Sequence, residues 1–590
     1  MFLLCALASS LSAAHSYFVH TLASDLPGVA DQEDDQLVNP WDFTSFNVCT
    51  PPGSPSCTPP DVSSVLIANG TGKVSQYTPI PGIVEPQSYP SLGQGITGVM
   101  GMYGLPKPDV NGLADGLLFC TEDGTIVGLG VFSPTFVTTL VDNSKSGAVY
   151  KGCTFGSVFQ RDGQPFYYAA NFGSGKIDVW DSNLNPLQNA SAFITPAIPP
   201  GFAPFNIQGI SDRVLLVTYA RQDTTKGSDV PGAGNGYIAA FDYEGNLLST
   251  LVAQGPLNSP WALTVAPATF GDFANALLVG NSGDGRINAF DPITGARKGA
   301  LADTQGHPIV IPGLHALHFG GGGATGDSST LYFTAGIGGP NGEPLGSRGL
   351  FGSIQAAPFF QASGVLNGAD FSAAIAPNTW VTIMGGSLSA TTRSWNSSDF
   401  TNQELPTKLD GVSVTINGEP TFVSYINPTQ INFLVPADLA AGPVEIRTEN
   451  NGLISAPISA NLANAAPAFF FVPRENDDEN FIAALQADNS PVITVTPGEA
   501  VALFGTGFGA TTPATLNGQL LSSPLQLIQP VKVTIGGQIA QVTFCGLVAP
   551  GLYQLNVIVP NIDPKYRFFG VPVAASIEGV GTQAVGYLGF

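Results

Sequence analysis

The sequence predicts an all-β protein: a six-bladed β-propeller over residues 15–357, followed by two immunoglobulin-like β-sandwich repeats over 365–466 and 467–590. Three observations predict it. A glycine-led strand motif recurs six times in the first part of the chain, at intervals of 49 to 64 residues. A second, unrelated repeat occupies the last third, with an offset of 120 residues between its copies. The 71 glycines and 48 prolines of the 590 residues supply the turns that many short strands need, and turn-separated short strands at regular spacing mark propellers and sandwiches.

The first repeat reads glycine, one residue, a β-branched residue or leucine, two residues, then an aromatic that aspartate often follows. It starts at Gly72 (GKVSQYT), Gly124 (GTIVGLG), Gly175 (GKIDVWD), Gly236 (GYIAAFD), Gly285 (GRINAFD) and, loosely, Gly349 (GLFGSIQ). An apolar strand ending in a turn precedes each, as in VLIANG, FYYAANFGSG and ALLVGNSGDG, and a third strand lies further upstream, as in PWDFTS, YKGCTF and PWALTVAP. A looser fourth strand follows in several units, for example LLSTLVAQ. Such a blade has two apolar faces and buries them only against its neighbours. The segment YFVHTLASD from Tyr17 stands where a fourth strand precedes the next blade elsewhere. It is expected to pair after Gly349–Gln355, completing blade six and removing the open edges.

The run from Tyr219 to Asp242, together with Asn39–Trp41, Pro204–Ile210, Pro260–Pro267 and Leu278–Asp291, resembles a family of exported bacterial propellers related to the NHL-repeat type. The resemblance spans roughly residues 17–352. It implies the fold and export, and it carries no catalytic residue.

Beyond the linker at Ile354–Gly364 the composition turns to alternating Thr, Val and Ile. The segment WVTIMGGSLSATT from Trp380 aligns with AVALFGTGFGATT from Ala500, and the stretch Val412–Pro436 aligns with Val531–Pro560, which carries five extra residues. Period-2 alternation bounded by Asn-Gly and Gly-Gly turns specifies antiparallel hairpins, and two such copies read as two sandwiches. The pieces SYINPTQINFLVP from Ser424 and GLVAPGLYQLNVIVP from Gly546 resemble the Solibacter-type C-terminal module. That likeness implies an accessory module on exported proteins. The acidic stretch Glu475–Asn480 reads as a solvated connection without the order of an EF-hand.

Lys and Arg number 20 against 43 Asp and Glu, a net charge of −23. This disfavours nucleic acid and anionic lipid, both of which require basic patches. Residues 1–14 read as a signal peptide: Phe2–Leu11 is apolar and Ala13–Ala14 offers a small-residue cleavage site, although a basic start is missing. No later apolar run reaches the ~18–20 residues of a membrane span. A secreted or cell-surface location and no transmembrane segment are therefore expected. Cys49 and Cys57 flank a short proline-stiffened loop and are expected to form a disulfide, whereas Cys120, Cys153 and Cys545 lie in apolar strands and read as buried free thiols.

In a propeller, the loop entering each inner strand and the turn after each second strand emerge on one face around the axis. Those segments hold Asn39, Trp41, Asn69, Glu122, Asp123, Asn171, Arg221, Asp223, Asp229, Trp261, Asn281, Asp284 and His315, the candidate ligand-binding face. Two long insertions, 221–235 and 337–348, stand over it. Asn69 and Asn171 are equally explained as turn residues, Trp41 and Trp261 as packing between blades, and the Arg221–Asp229 loop as self-pairing. Asp181, Asp242 and Asp291 are expected to bond their own turns. No GxSxG elbow accompanies the five histidines, and the glycines from Gly320 lack the lysine and helix of a phosphate loop. The favoured function is an exported, non-enzymatic binding scaffold for a glycan, peptide or envelope protein. The alternatives are a lactonase-like, metal-dependent hydrolase or lyase, with Asn39, Asn69, Glu122, Asn171, Asn281 and His315 around an axial Ca²⁺, and a structural surface-layer component.

Overall fold

The glycine-led segments of the first 356 residues become strands because apolar and β-branched runs are cut by turns every four to ten residues. The computed structural model describes residues 16–47, 63–77, 91–92, 95–103, 115–130, 137–156, 166–187, 192–303, 305–322, 325–474, 477–566, 570–583 and 586–589. The expected signal peptide at 1–14, the expected Cys49–Cys57 pair and residues 475–476 of the acidic stretch lie outside these. The protein is all-β, with many small sheets, and contacts divide it into two compact units, Met1–Ala356 and Ala357–Phe590. Among the described residues no helix is long and apolar enough to cross a membrane.

Six small antiparallel sheets form the first unit among the described residues. Their first strands are Pro40–Asn47, Ile96–Tyr103, Tyr150–Phe155, Phe202–Ser211, Pro260–Val265 and Leu314–Phe319, and each sheet then adds its strands in chain order, outward. Each first strand packs against the first strand of the next sheet, and the sixth packs against the first. These are the inner strands of a propeller-like ring. The strand Tyr17–Ser24 pairs antiparallel with Leu350–Ala356, from Tyr17 opposite Ala356 to Ser24 opposite Leu350, so the start of the chain is zipped onto the sixth sheet. Tyr17 anchors it: its ring lies against Phe270 and Phe273 of the fifth sheet, and its hydroxyl donates to the Phe270 carbonyl at 3.2 Å.

Second strands such as Leu277–Asn281 are buried along their whole length, because both faces of an inner sheet meet neighbouring sheets. Each large aliphatic or aromatic side chain so buried contributes about 1.5–3 kcal/mol. Asp242 accepts the backbone N–H groups of Glu244 and Asn246, and Asp181 and Asp291 do the same in their turns. These aspartates are the turn locks that their motif implied.

One cysteine expectation is corrected. Cys120 and Cys153 are joined in a disulfide with Cα atoms 6.4 Å apart, linking the second strand of sheet two to the inner strand of sheet three. Each cysteine sits in an apolar strand that looks self-sufficient in sequence. Only the stacking of the two sheets brings the sulfurs together. Cys545 is free, and burial pushes its thiol up to about 12.

The second unit has two hydrophobic cores, one from Phe360 to Leu462 and one from Ala465 to Leu588. In the first, Trp380–Gly386 pairs with Gln430–Leu434; in the second, Ala500–Thr506 pairs with Leu552–Ile558. The two repeat copies thus build matching strand pairs. Val412–Ile416 alternates buried and half-buried residues, as a strand with one face on a core must.

Candidate functional site

Every inner strand of the ring breaks register near its start. The irregularity begins at Trp41, Thr97, Lys151, Phe205, Trp261 and His315, 54 to 56 residues apart in the chain, and extends to Gly152 and Ala316 in the third and sixth sheets. A bulge frees one residue from the ladder and re-aims its side chain. Five of the six come together as one packed layer. Trp41 stacks on His315 at 3.9 Å between centroids and meets Trp261 edge-on at 4.8 Å. Phe205 packs edge-on against Trp261 at 4.9 Å and touches Phe172 at 5.4 Å. The Lys151 ammonium lies 5.5 Å from the Trp41 ring centre and 6.0 Å from that of Phe172, within cation–π range. Thr97 instead turns its hydroxyl to the Tyr150 carbonyl at 2.8 Å.

The charges of this layer are unusual for so apolar a place. Lys151 is buried, and its ammonium is ion-paired with the Glu122 carboxylate, whose side chain is 41% exposed. A buried lysine needs such a partner to stay ionised. His315 is buried as well, and Nδ1 donates to the Pro40 carbonyl at 2.8 Å; a carbonyl only accepts, so this nitrogen carries the hydrogen. Burial first, and the nearby Lys151 charge second, lower its pKa to about 4, so the ring is neutral at pH 7.

The structure brings Asn39, Trp41, Glu122, Trp261 and His315 to this layer. Asn39 has φ +52° and sets its amide against Gly336 and Gly346; a side chain at Gly336 would collide with Asn39 Oδ1 and with the His315 ring. The other expected residues serve their own loops. Asn69 donates to Ser75 Oγ at 3.1 Å, Asn171 to Asp178 at 2.9 Å, and Asn281 to the Pro256 carbonyl at 2.8 Å and to Asp284 at 3.0 Å. Asp123 bonds Thr121 and Thr125. Asp223 accepts Thr225 Oγ1 at 2.7 Å and the Gly227 N–H at 3.1 Å, and these bonds, Thr225 first, hold its carboxyl below the usual range. Gln222 and Asp229 bridge through their backbones, while Arg221 is exposed and forms no ion pair with Asp223 or Asp229 among the described residues. In the second insertion Arg348 grips Glu343 at 2.7 and 3.2 Å and reaches Asp25 at 3.4 Å.

The donor set expected for an axial Ca²⁺ does not fit one. Asn69 Oδ1 and Asn281 Oδ1 are buried without a partner, but they belong to sheets one and five, and sheet six lies between them. What sheet six sends inward is a stacked, neutral His315. The Glu122 carboxylate is already engaged by the Lys151 ammonium. Among the described residues no three His, Cys, Asp or Glu side chains are grouped to hold a metal.

Sequence reasoning missed Lys151, Phe172 and Phe205. The signal for Lys151 and Phe205 was available, since both fall on the 54-to-56-residue period that runs through Trp41, Trp261 and His315.

No family model matches the chain. Among curated proteins it is 30% identical over 348 residues to "Uncharacterized protein R648" of Acanthamoeba polyphaga mimivirus, covering 55% of this chain and 78% of that protein. It is also 30% identical over 346 residues to "Uncharacterized protein L690" of the same virus, covering 55% and 83%. The chain belongs to their family. A third member of the same virus, "Uncharacterized protein R640", is 31% identical over 207 residues, 34% of this chain and 37% of its own length. Solved structures similar to the chain include U3-55K (TM-score 0.31, 12% identity, 58% of this chain and 98% of that one). The BBS1N structure in complex with ARL6DN (TM-score 0.30, 15% identity, 53% and 78%) and the Neurospora crassa Pan2 WD40 domain (TM-score 0.28, 9% identity, 49% and 72%) are similar in the same way.

Proposed function

We propose that the six sheets are the blades of a closed six-bladed propeller, that residues 357–590 form two immunoglobulin-like sandwiches, and that the chain is an exported, non-enzymatic binding scaffold. Its partner, a glycan, peptide or envelope protein, meets the face that carries Glu122. The observation behind this reading is the Lys151–Glu122 pair set in the Trp41–Trp261–Phe205 layer. A partly exposed carboxylate held by a buried ammonium, on aromatic rings fixed from separate sheets, is a pre-organised contact surface, and pre-organisation lowers the entropic cost of binding. The Cys120–Cys153 disulfide supports an oxidising compartment, as does the resemblance to exported propellers.

The test is a glycan array and an envelope-protein pull-down with the full chain, its Glu122→Gln variant and its Arg221→Ala/Asp223→Ala variant. Loss of a captured partner on Glu122→Gln, with the near-ultraviolet circular dichroism of the folded ring retained, supports the reading. Capture that is indifferent to both variants removes the face from consideration.

A further inference from the structure

Immediately past the bulges, the inner strands enclose a cavity of about 210 Å³. It begins on the far side of Trp261 and is lined by residues of all six inner strands, among them Asp42, Thr44, Thr154, Gln208 and His318, while Lys151 and Glu122 do not reach it. Its chemistry is one-sided. Asp42 is the one carboxylate of the lining, and the lining contains no lysine or arginine. The carboxylate is held in place rather than spent: Oδ1 accepts the Phe43 N–H at 2.9 Å and His318 Nε2–H at 3.2 Å, and among the described residues Oδ2 accepts only the Val99 N–H at 3.1 Å, which leaves Oδ2 further lone-pair capacity. The Gln208 amide and the Thr44 and Thr154 hydroxyls are half-buried and have no partner among the described residues. Around these oxygens stand the rings of Phe43, Phe155, Phe319 and Trp261.

We propose that this cavity binds a small organic cation, a primary amine, with the ammonium on Asp42 and the alkyl part among the aromatic rings. The lining holds one carboxylate and no lysine or arginine, and aromatic faces attract cations. The net charge of −23 raises the local concentration of cations around the whole molecule. The Lys151 charge does not oppose this, because Glu122 neutralises it on the other side of the aromatic layer. An anion would meet the Asp42 carboxylate with no lysine or arginine in the lining to pair it, and a neutral polyol would bring the carboxylate no charge to match.

The test is calorimetric titration of the full chain at pH 7.5 with n-butylammonium chloride, with glucose and sodium butyrate as neutral and anionic comparators. Saturable butylammonium binding with Kd near or below ~1 mM is expected, weakened at least tenfold in Asp42→Asn, which keeps an oxygen for the Phe43 and Val99 amides. Because Asp42→Asn can disturb that corner, Gln208→Leu serves as a second variant: its amide has no partner to lose, and a several-fold weakening is expected at an unchanged melting temperature. Ile293→Ala, at an exposed position away from the cavity, should leave butylammonium binding as it is, and Gln208→Leu should leave partner capture as it is, so this proposal and the proposed face fail independently. Binding of glucose or butyrate in preference to the amine, or no saturable heat with the amine, overturns the proposal.

Discussion

The ring of His315 lies flat on that of Trp41, with planes 8° apart and centroids at 3.9 Å, and this stack joins the sixth sheet of the ring to the first. The seam where the ring closes is therefore held at its axis by two residues that are 274 positions apart in the chain, in addition to the edge pairing of Tyr17–Ser24.

This stack gives acid stability a defined shape. His315 is neutral when folded down to a pKa of about 4, against 6.5 in the unfolded chain. Above pH 6.5 both states are neutral and the residue contributes no pH dependence. As pH falls from 6.5 towards 4 the unfolded state takes up a proton that the folded state refuses, so stability is lost, by about 3 kcal/mol in all. Urea unfolding at pH 7.5, 5.5 and 4.5 should show this slope, and His315→Gln should flatten it. An equal slope in the variant would assign the effect to other groups.

Trp261 is the hub of the axial layer, with Trp41 on one side and Phe205 on the other, and it is 2% exposed. Trp261→Ala should destabilise the first unit by about 3–5 kcal/mol, the usual loss for a buried aromatic. The exposed Ile293 gives a control: Ile293→Ala, 85% exposed, should shift denaturant midpoints by less than about 0.5 kcal/mol.

The Cys120–Cys153 bridge closes a segment of 33 residues between sheets two and three. Constraining an unfolded loop of that length is worth about 2–4 kcal/mol. Cys120→Ala/Cys153→Ala should lower stability by that amount while near-ultraviolet circular dichroism stays that of the folded ring. A double variant as stable as the parent would argue that the chain does not carry the bridge in solution.

Removing residues 16–24 should leave Leu350–Ala356 as an unpaired edge and take away the Tyr17 contacts with Phe270 and Phe273. Unpaired edges template association. Light scattering after size exclusion should find higher oligomers; a monomer with the parental melting temperature would contradict the closure.

The sequence alone determined the strands, their order within each sheet and the pairing of Tyr17 with the last one, because side-chain alternation and glycine turns are local and set each hairpin without reference to the rest. It also determined which aspartates lock their own turns, since Asp242 reaches only to Asn246. The axis was decided by the tertiary structure. Lys151 reads in the chain as one charge in an apolar strand, and Asn171 as a plausible ligand; the bulges turn the first inward onto Glu122 and Trp41, while a local partner keeps the second in its turn. The Cys120–Cys153 bond and the Asp42–His318 pair have the same origin: both join sheets whose spacing is fixed only when all six stack and the ring shuts, a distance that no local pattern encodes.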